Sequence, residues 1–112
     1  MATRYVYFGH YTAKRGIIKI GETTNLAKRK KDIARENGYE FVFDCVYAVD
    51  TDKAGILLVE SLVRYAIARN TNAQHIGNDH FMRANRNECE KFFHKAVKNA
   101  ESDYDMKISR LI

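Results

Sequence analysis

Two short segments near the start of the chain, both rich in β-branched and aromatic residues, constrain the fold most. They span residues 5–8 and 16–21 and are separated by a polar, turn-like stretch at 11–15. This spacing predicts a β-hairpin. Thr24 or Asn25 can cap a helix over residues 26–36, which Asn37 and Gly38 would end in a left-handed turn.

The rest of the chain alternates between strand and helix patterns. Residues 40–49 have period-two alternation, which predicts a strand with one buried face made by Phe41, Phe43, Cys45, Tyr47 and Val49.

A second helix, capped by Asp50 or Asp52 and running to about residue 69, is apolar nearly all round and should be central. Residues 80–82 predict a short extra strand, and Asn85 or Asn87 begins a last helix to about residue 100.

The resulting order, β-β-α-β-α-(β)-α, predicts the α+β class: a small antiparallel sheet of three strands, with a short fourth, packed with about three helices. At 112 residues the chain fits one domain over 1–112, with a core of about 4–100 and a tail at 101–112 that no pattern assigns. There is no proline and no secretory or membrane-spanning segment. We therefore expect a cytoplasmic protein with no membrane partner, located in the host cytoplasm if a phage encodes it.

The positive charge is concentrated in the first third of the chain. Residues 1–36 hold nine Lys/Arg and three Asp/Glu, a balance of +6, whereas residues 37–112 hold ten and eleven, a balance of −1. A localised basic patch is typical of a polyanion-binding protein, because binding to phosphates releases counterions. A solvated lysine-rich helix face would give the same pattern, and charge alone does not separate the two interpretations.

The predicted hairpin places Tyr5, Tyr7 and Lys19 on one face if Val6 and Phe8 point to the core. Two phenols beside a lysine on an exposed sheet face could supply a general base and a phosphate contact. A cross-strand aromatic and cation-π pair that only covers the sheet is the alternative.

Glu60 is unusual because it lies mid-helix on an apolar stripe. A carboxylate buried there requires a partner. The partner could be a divalent cation, which prefers carboxylate oxygen, or Arg64, which stands four residues later on the same helix. Both interpretations remain open at this stage.

The sequence resembles the GIY-YIG nuclease superfamily, in particular the KIG-type branch common in phage and bacterial proteins. Residues 5–7 (Tyr-Val-Tyr) stand at the GIY motif, residues 19–21 (Lys-Ile-Gly) at YIG, and residues 19–29 are similar to the run into the first helix. Arg29 stands at the family's helix arginine, Glu60 at its metal-binding glutamate, and residues 77–81 are similar to its Gly-x-x-x-Phe segment. The similarity covers roughly residues 4–95. Tyr5 replaces the first glycine of GIY, Lys19 the tyrosine of YIG and Ile33 a histidine of some members, while Asn78 is the candidate for a late asparagine.

The resemblance implies an endonuclease or nickase that hydrolyses phosphodiester bonds. We expect DNA to be favoured over RNA as its substrate. Tyr7, with Tyr5 beside it, would help to deprotonate water, Lys19 would steer it and Arg29 would bind the scissile phosphate. Glu60 would hold one Mg²⁺ or Mn²⁺ ion. We expect Asn25, Lys28, Lys30 and Lys31 to contact nucleic acid, and a homodimer or a protein partner to supply specificity. A catalytically silent nucleic-acid-binding or regulatory module with the same fold is the alternative.

Overall fold

A computed structural model describes residues 3–77 and 80–112. Its elements are, in chain order, β1 (Thr3–Tyr11), β2 (Ile18–Thr23), α1 (Leu26–Asn37), β3 (Phe41–Asp50), α2 (Lys53–Asn70), β4 (Gln74–Ile76), β5 (His80–Met82), α3 (Arg86–Asp103) and β6 (Lys107–Arg110). The α+β class is therefore confirmed. Asn78 lies outside the described residues.

The predicted sheet was too small. It has six strands in the order β4-β5-β2-β1-β3-β6, and every neighbouring pair is antiparallel. The short strand β5 was predicted, whereas β4 was not, and β6 lies in the unassigned tail. Both missed strands are three or four residues long and mostly exposed, so they are too short to show the apolar alternation that would mark them in the sequence.

Helices cover both faces of the sheet. On one face, α2 and α3 pack on a core that includes Val6, Phe8, Ile20 and Phe93. On the other face, Ile33 of α1 packs with Tyr7, Tyr11 and Phe41, among others. The prediction of an exposed face bearing Tyr7 and Lys19 was therefore wrong, because Tyr7 and Lys19 are both buried.

The strand β3 changes face at a β-bulge. Phe8 pairs with Cys45 but the next residue, Gly9, pairs with Phe43, so Asp44 is the extra residue. An extra residue reverses the alternation. Phe41 and Phe43 consequently pack on the α1 side, while Cys45, Tyr47 and Val49 pack on the α2/α3 side. The prediction of one shared face along β3 was wrong for this reason.

The helix boundaries follow from their caps. Asn25 accepts a hydrogen bond from Lys28 N and begins α1, and Gly38 ends it with a φ of 74°. Asp52 and Asn85 are the caps of α2 and α3. In the described part of the chain, no helix is long and apolar enough to cross a membrane.

Candidate active site at the edge of the second strand

Tyr7 is fixed at the middle of β1. Its ring is fully buried and makes edge-to-face contacts with Phe43, at a centroid distance of 5.1 Å, and Phe41, at 6.0 Å. Its hydroxyl oxygen accepts a hydrogen bond from Arg29 Nε at 3.3 Å. The aromatic contacts therefore hold the hydroxyl at a defined point beside a permanent cation.

Gly21 makes room for this hydroxyl. It stands opposite Tyr7 in the β1–β2 ladder, and a β-carbon added there would lie 2.2 Å from Tyr7 Oη. A glycine in the second motif is therefore needed for the close approach of the phenol, rather than for a special backbone angle.

Arg29 reaches the sheet from α1. Partial burial alone would lower the pKa of its guanidinium, but the hydrogen bond and charge of Tyr7, with Glu36 and Asp32 nearby, raise that pKa above its usual value. The side chain is 31% exposed, and its Nη1 lies 3.8 Å from Glu36 Oε1. Arg29 is thus a charged group that is fixed at one nitrogen and partly open to solvent.

Lys19 lies in β2, between Gly9 of β1 and His80 of β5. Only 4% of the residue is exposed, which is unusual for lysine, since burying a charge requires compensating partners. Alternation in β2 places Lys19 on the same face as Gly21, towards Tyr7.

Glu60 projects from the buried side of α2, where its side chain is 8% exposed. Its Oε1 accepts a hydrogen bond from Arg64 Nη1 at 2.5 Å. The ion pair with Arg64, one of the two partners expected from the sequence, is therefore present. A carboxylate offers about four lone-pair positions, so this contact alone does not use up its capacity as a ligand.

These four residues line one cleft, which we call the β2-edge cleft. Its volume is about 470 Å³, and it is lined by Arg4, Tyr7, Lys19, Gly21, Glu22, Thr23, Thr24, Arg29, Lys53, Leu57 and Glu60. The short strand β5 pairs only with Ile18 and Lys19 of β2. Among the described residues, the later part of β2 therefore has an open edge, and the cleft lies beside it.

Sequence reasoning missed three charged residues of this cleft. Glu22 forms ion pairs with Lys53 and with Arg4, the latter at 3.5 Å. Glu22 Oε2 is nevertheless buried without a hydrogen-bond partner in the described part of the chain. With Arg4 and Lys53 included, the cleft has four cations and two carboxylates, a positive balance that suits an anionic ligand.

Comparison with protein families gives a match to the T5orf172 domain over residues 4–103. The chain belongs to the T5orf172 domain family. This is a phage-associated domain related to GIY-YIG-like nuclease folds. Comparison with curated proteins and with solved structures gave no match.

The residues matched by the T5orf172 family, 4–103, include the four cleft residues Tyr7, Lys19, Arg29 and Glu60. Membership indicates a nuclease-like or other nucleic-acid-related function, without a specific activity. Among the described residues of this T5orf172 domain, there is no cluster of three or more His, Cys, Asp or Glu side chains that could hold a metal ion.

The remaining predicted site residues lie outside the cleft lining of this T5orf172 domain. Tyr5 is half-buried and packs against the α1-side core. Asn25 uses its Oδ1 to cap α1, at 3.1 Å from Lys28 N. Lys28, Lys30 and Lys31 are exposed around the first turns of α1 and make the surface of that helix basic.

Proposed function

We propose that this T5orf172 domain is a metal-dependent endonuclease or nickase that hydrolyses phosphodiester bonds, with DNA as the preferred substrate. One observation carries the proposal. Tyr7, Lys19, Arg29 and Glu60 come from four different elements and converge on the β2-edge cleft. Phosphodiester hydrolysis needs a nucleophile, an anchor for the phosphate and cations for the developing charge, and this cleft has a candidate for each.

Tyr7 is the proposed general base for the attacking water. A cation that is hydrogen-bonded to a phenol oxygen stabilises the phenolate, and Arg29 Nε makes this contact at 3.3 Å. The partly exposed guanidinium of Arg29 would bind the scissile phosphate through its other nitrogens. Lys19, buried on the same face as Tyr7, would orient the water and stabilise the developing negative charge.

Glu60 is the proposed ligand of one Mg²⁺ or Mn²⁺ ion. The donor chemistry fits, because both carboxylates of the cleft offer the hard oxygen atoms that these ions prefer, and Glu22 Oε2 has no hydrogen-bond partner among the residues that the structure describes. When bound, such an ion supplies Lewis-acid stabilisation of the phosphate and lowers the pKa of bound water. Arg64, which donates to Glu60 Oε1, would orient the carboxylate.

A catalytically silent nucleic-acid-binding module is the second candidate. The ion pair between Glu60 and Arg64 favours it, since Arg64 already compensates the negative charge of Glu60. Under this alternative the basic surface of α1 binds phosphates and the cleft performs no chemistry.

A plasmid assay separates the two functions. Supercoiled DNA is incubated with the protein in Mg²⁺, in Mn²⁺ and in EDTA, with a matched RNA as a second substrate. We expect cleavage only with metal and preferentially of DNA. Nicked circles should precede linear molecules, because the chain has one such cleft among its described residues and each hydrolysis cuts one strand. DNA binding without cleavage in either metal would support the silent module.

Sequence specificity is proposed to come from a homodimer or a protein partner. A symmetric dimer could place two clefts on opposite strands. Linear product that appears without a nicked intermediate, from a species that sediments as a dimer, would support this arrangement.

A further inference from the structure

A second basic cleft, which we call the hairpin cleft, lies where the β1–β2 turn meets the start of α3. Its volume is about 470 Å³, and Lys14, Arg15 and Arg86 are its charged lining residues. The described residues that line it include no Asp or Glu. The hairpin cleft is thus more uniformly positive than the β2-edge cleft, which contains two carboxylates.

The two walls of the hairpin cleft are joined by the backbone. Ala84 N donates a hydrogen bond to Gly16 O at 2.9 Å, and this connects the hairpin turn to the loop before α3. Gly16 has a φ of 74°, a backbone conformation that residues other than glycine rarely adopt. The separation of the two backbone walls that carry the cations is therefore set by the fold.

Arg86 is also held by its side chain. Its Nη1 donates to His10 Nε2 at 2.7 Å, and His10 Nδ1 lies 2.7 Å from Asp44 Oδ2. A guanidinium can only donate, so His10 accepts at Nε2 and carries its proton at Nδ1, which donates to the carboxylate.

Asp44 is the bulge residue of β3. The bulge therefore directs a carboxylate to the back of His10, and His10 in turn orients Arg86. Asp44 itself does not line the hairpin cleft, so the chain of hydrogen bonds orients the guanidinium while keeping the negative charge behind the ring.

We propose that the hairpin cleft binds a backbone phosphate of the same nucleic acid that enters the β2-edge cleft. This inference rests on the proposed function for its substrate class. An arginine held at one nitrogen, with two further cations and no lining carboxylate, is the arrangement that proteins use for phosphate groups. Such a site recognises the charge and position of a phosphate group and does not distinguish one base sequence from another.

The strand geometry gives the spacing of the two contacts. Tyr7 lines one cleft and Tyr11 the other, and both lie in β1. Four strand residues span roughly 13 Å. The two clefts are thus separated along β1 by a length comparable to roughly four nucleotides of duplex rise along one strand.

The test is the salt dependence of duplex binding, measured without divalent metal. The variant Arg15→Ala/Arg86→Ala removes two cations of the hairpin cleft, and Lys95→Ala/Lys98→Ala removes two exposed cations of α3 as the matched control. We plot the logarithm of the association constant for duplex DNA against the logarithm of the salt concentration. The slope should become shallower by about 1.8 in Arg15→Ala/Arg86→Ala and by much less in the control. The conservative variant Arg15→Lys/Arg86→Lys should keep most of the slope.

A second measurement does not depend on how the variants fold. Amide resonances of Gly16 and Arg86 in the unchanged protein should shift when a 12-base-pair duplex is added. Equal slopes in the two alanine pairs, or no shift at these amides, would overturn the phosphate contact. DNA binding is measured without divalent metal, so it does not depend on cleavage. If the hairpin-cleft variant changes the salt slope but the protein never cuts DNA, only the nuclease proposal is refuted. A chain that cuts but has equal slopes refutes the hairpin contact alone.

Discussion

The hydroxyl of Tyr7 occupies the space in which a β-carbon of residue 21 would lie. A β-carbon at residue 21 would approach Tyr7 Oη to 2.2 Å and Tyr7 Cζ to 2.4 Å. Phe41 and Phe43 pack against the ring, so the phenol cannot move aside without disturbing the α1-side core.

We predict that Gly21→Ala abolishes most cleavage and also destabilises the fold. The added methyl group must displace the hydroxyl or strain the core, at a cost of about 1–3 kcal/mol. Cleavage rate and urea unfolding are the measurements. Gly77→Ala is the control, because a β-carbon there meets nothing within 4 Å among the described residues. Full activity in Gly21→Ala would show that the position of the Tyr7 hydroxyl is irrelevant to the reaction.

Part of the fold could be predicted because its signals are local. The helix α1 was bounded correctly to within a residue, since Asn25 and Gly38 are caps whose chemistry is visible in the sequence. The bulge at Asp44 could not be predicted, because the alternation of apolar residues continues unchanged through it. The change of face appears only when β3 is paired with β1.

The same distinction applies to the candidate site. Tyr7, Lys19, Arg29 and Glu60 could be selected by their resemblance to family motifs, and the structure brings them to one cleft. Glu22 lies in the same motif run, residues 19–29, but its place in the site was not predicted, because its partner Lys53 is 31 residues away. An ion pair between the end of a strand and the start of a distant helix leaves no periodic pattern in the sequence.

Burial of Cys45 makes the stability of the fold sensitive to alkaline pH. The side chain is fully buried, and burial is the main cause that raises its pKa from 9.0 to about 11, with the charge of Arg110 opposing it. The folded state therefore favours the protonated thiol. The contribution of the protonated Cys45 thiol to the free energy of unfolding is fully present below pH 9 and is lost as the pH rises towards 11.

We expect the free energy of unfolding to fall by about 2 kcal/mol between pH 8 and 10.5 through this one group. The variant Cys45→Ala should be less stable than the parent at pH 8, because the substitution leaves a cavity. Its free energy of unfolding should nevertheless fall less than that of the parent between pH 8 and 10.5. Urea unfolding at the two pH values measures both effects. The same pH-dependent loss in parent and variant would contradict the assignment to Cys45.

The exposed lysines of α1 should provide much of the salt-dependent binding to DNA. Replacing Lys28, Lys30 and Lys31 by Ala removes three cations, so the log-log salt slope should become shallower by at most about 2.7. Their side chains wind around α1 rather than sharing one face, so a smaller change, equivalent to one or two contacts, is also consistent. The triple alanine variant of the exposed residues Lys91, Lys95 and Lys98 of α3 is the control. An unchanged slope in the α1 variant would identify this patch as a solvated helix face.

The final prediction concerns Glu60 and distinguishes an enzyme from a binding module. Glu60→Gln preserves the shape of the side chain and can still accept a hydrogen bond from Arg64, but it removes the negative charge. If Glu60 holds the metal ion, cleavage should fall by orders of magnitude, while DNA affinity measured without metal should hold or rise slightly, since one repulsive charge is lost.

Glu101→Gln is the matched control, because it removes an exposed carboxylate of α3 that does not line the β2-edge cleft. It should retain far more activity than Glu60→Gln. Arg29→Ala should behave differently again and lose both affinity and rate, since Arg29 is the proposed phosphate anchor. If Glu60→Gln cuts in Mg²⁺ as fast as the parent, the metal role of Glu60 is wrong, and its ion pair with Arg64 is then a structural contact of α2.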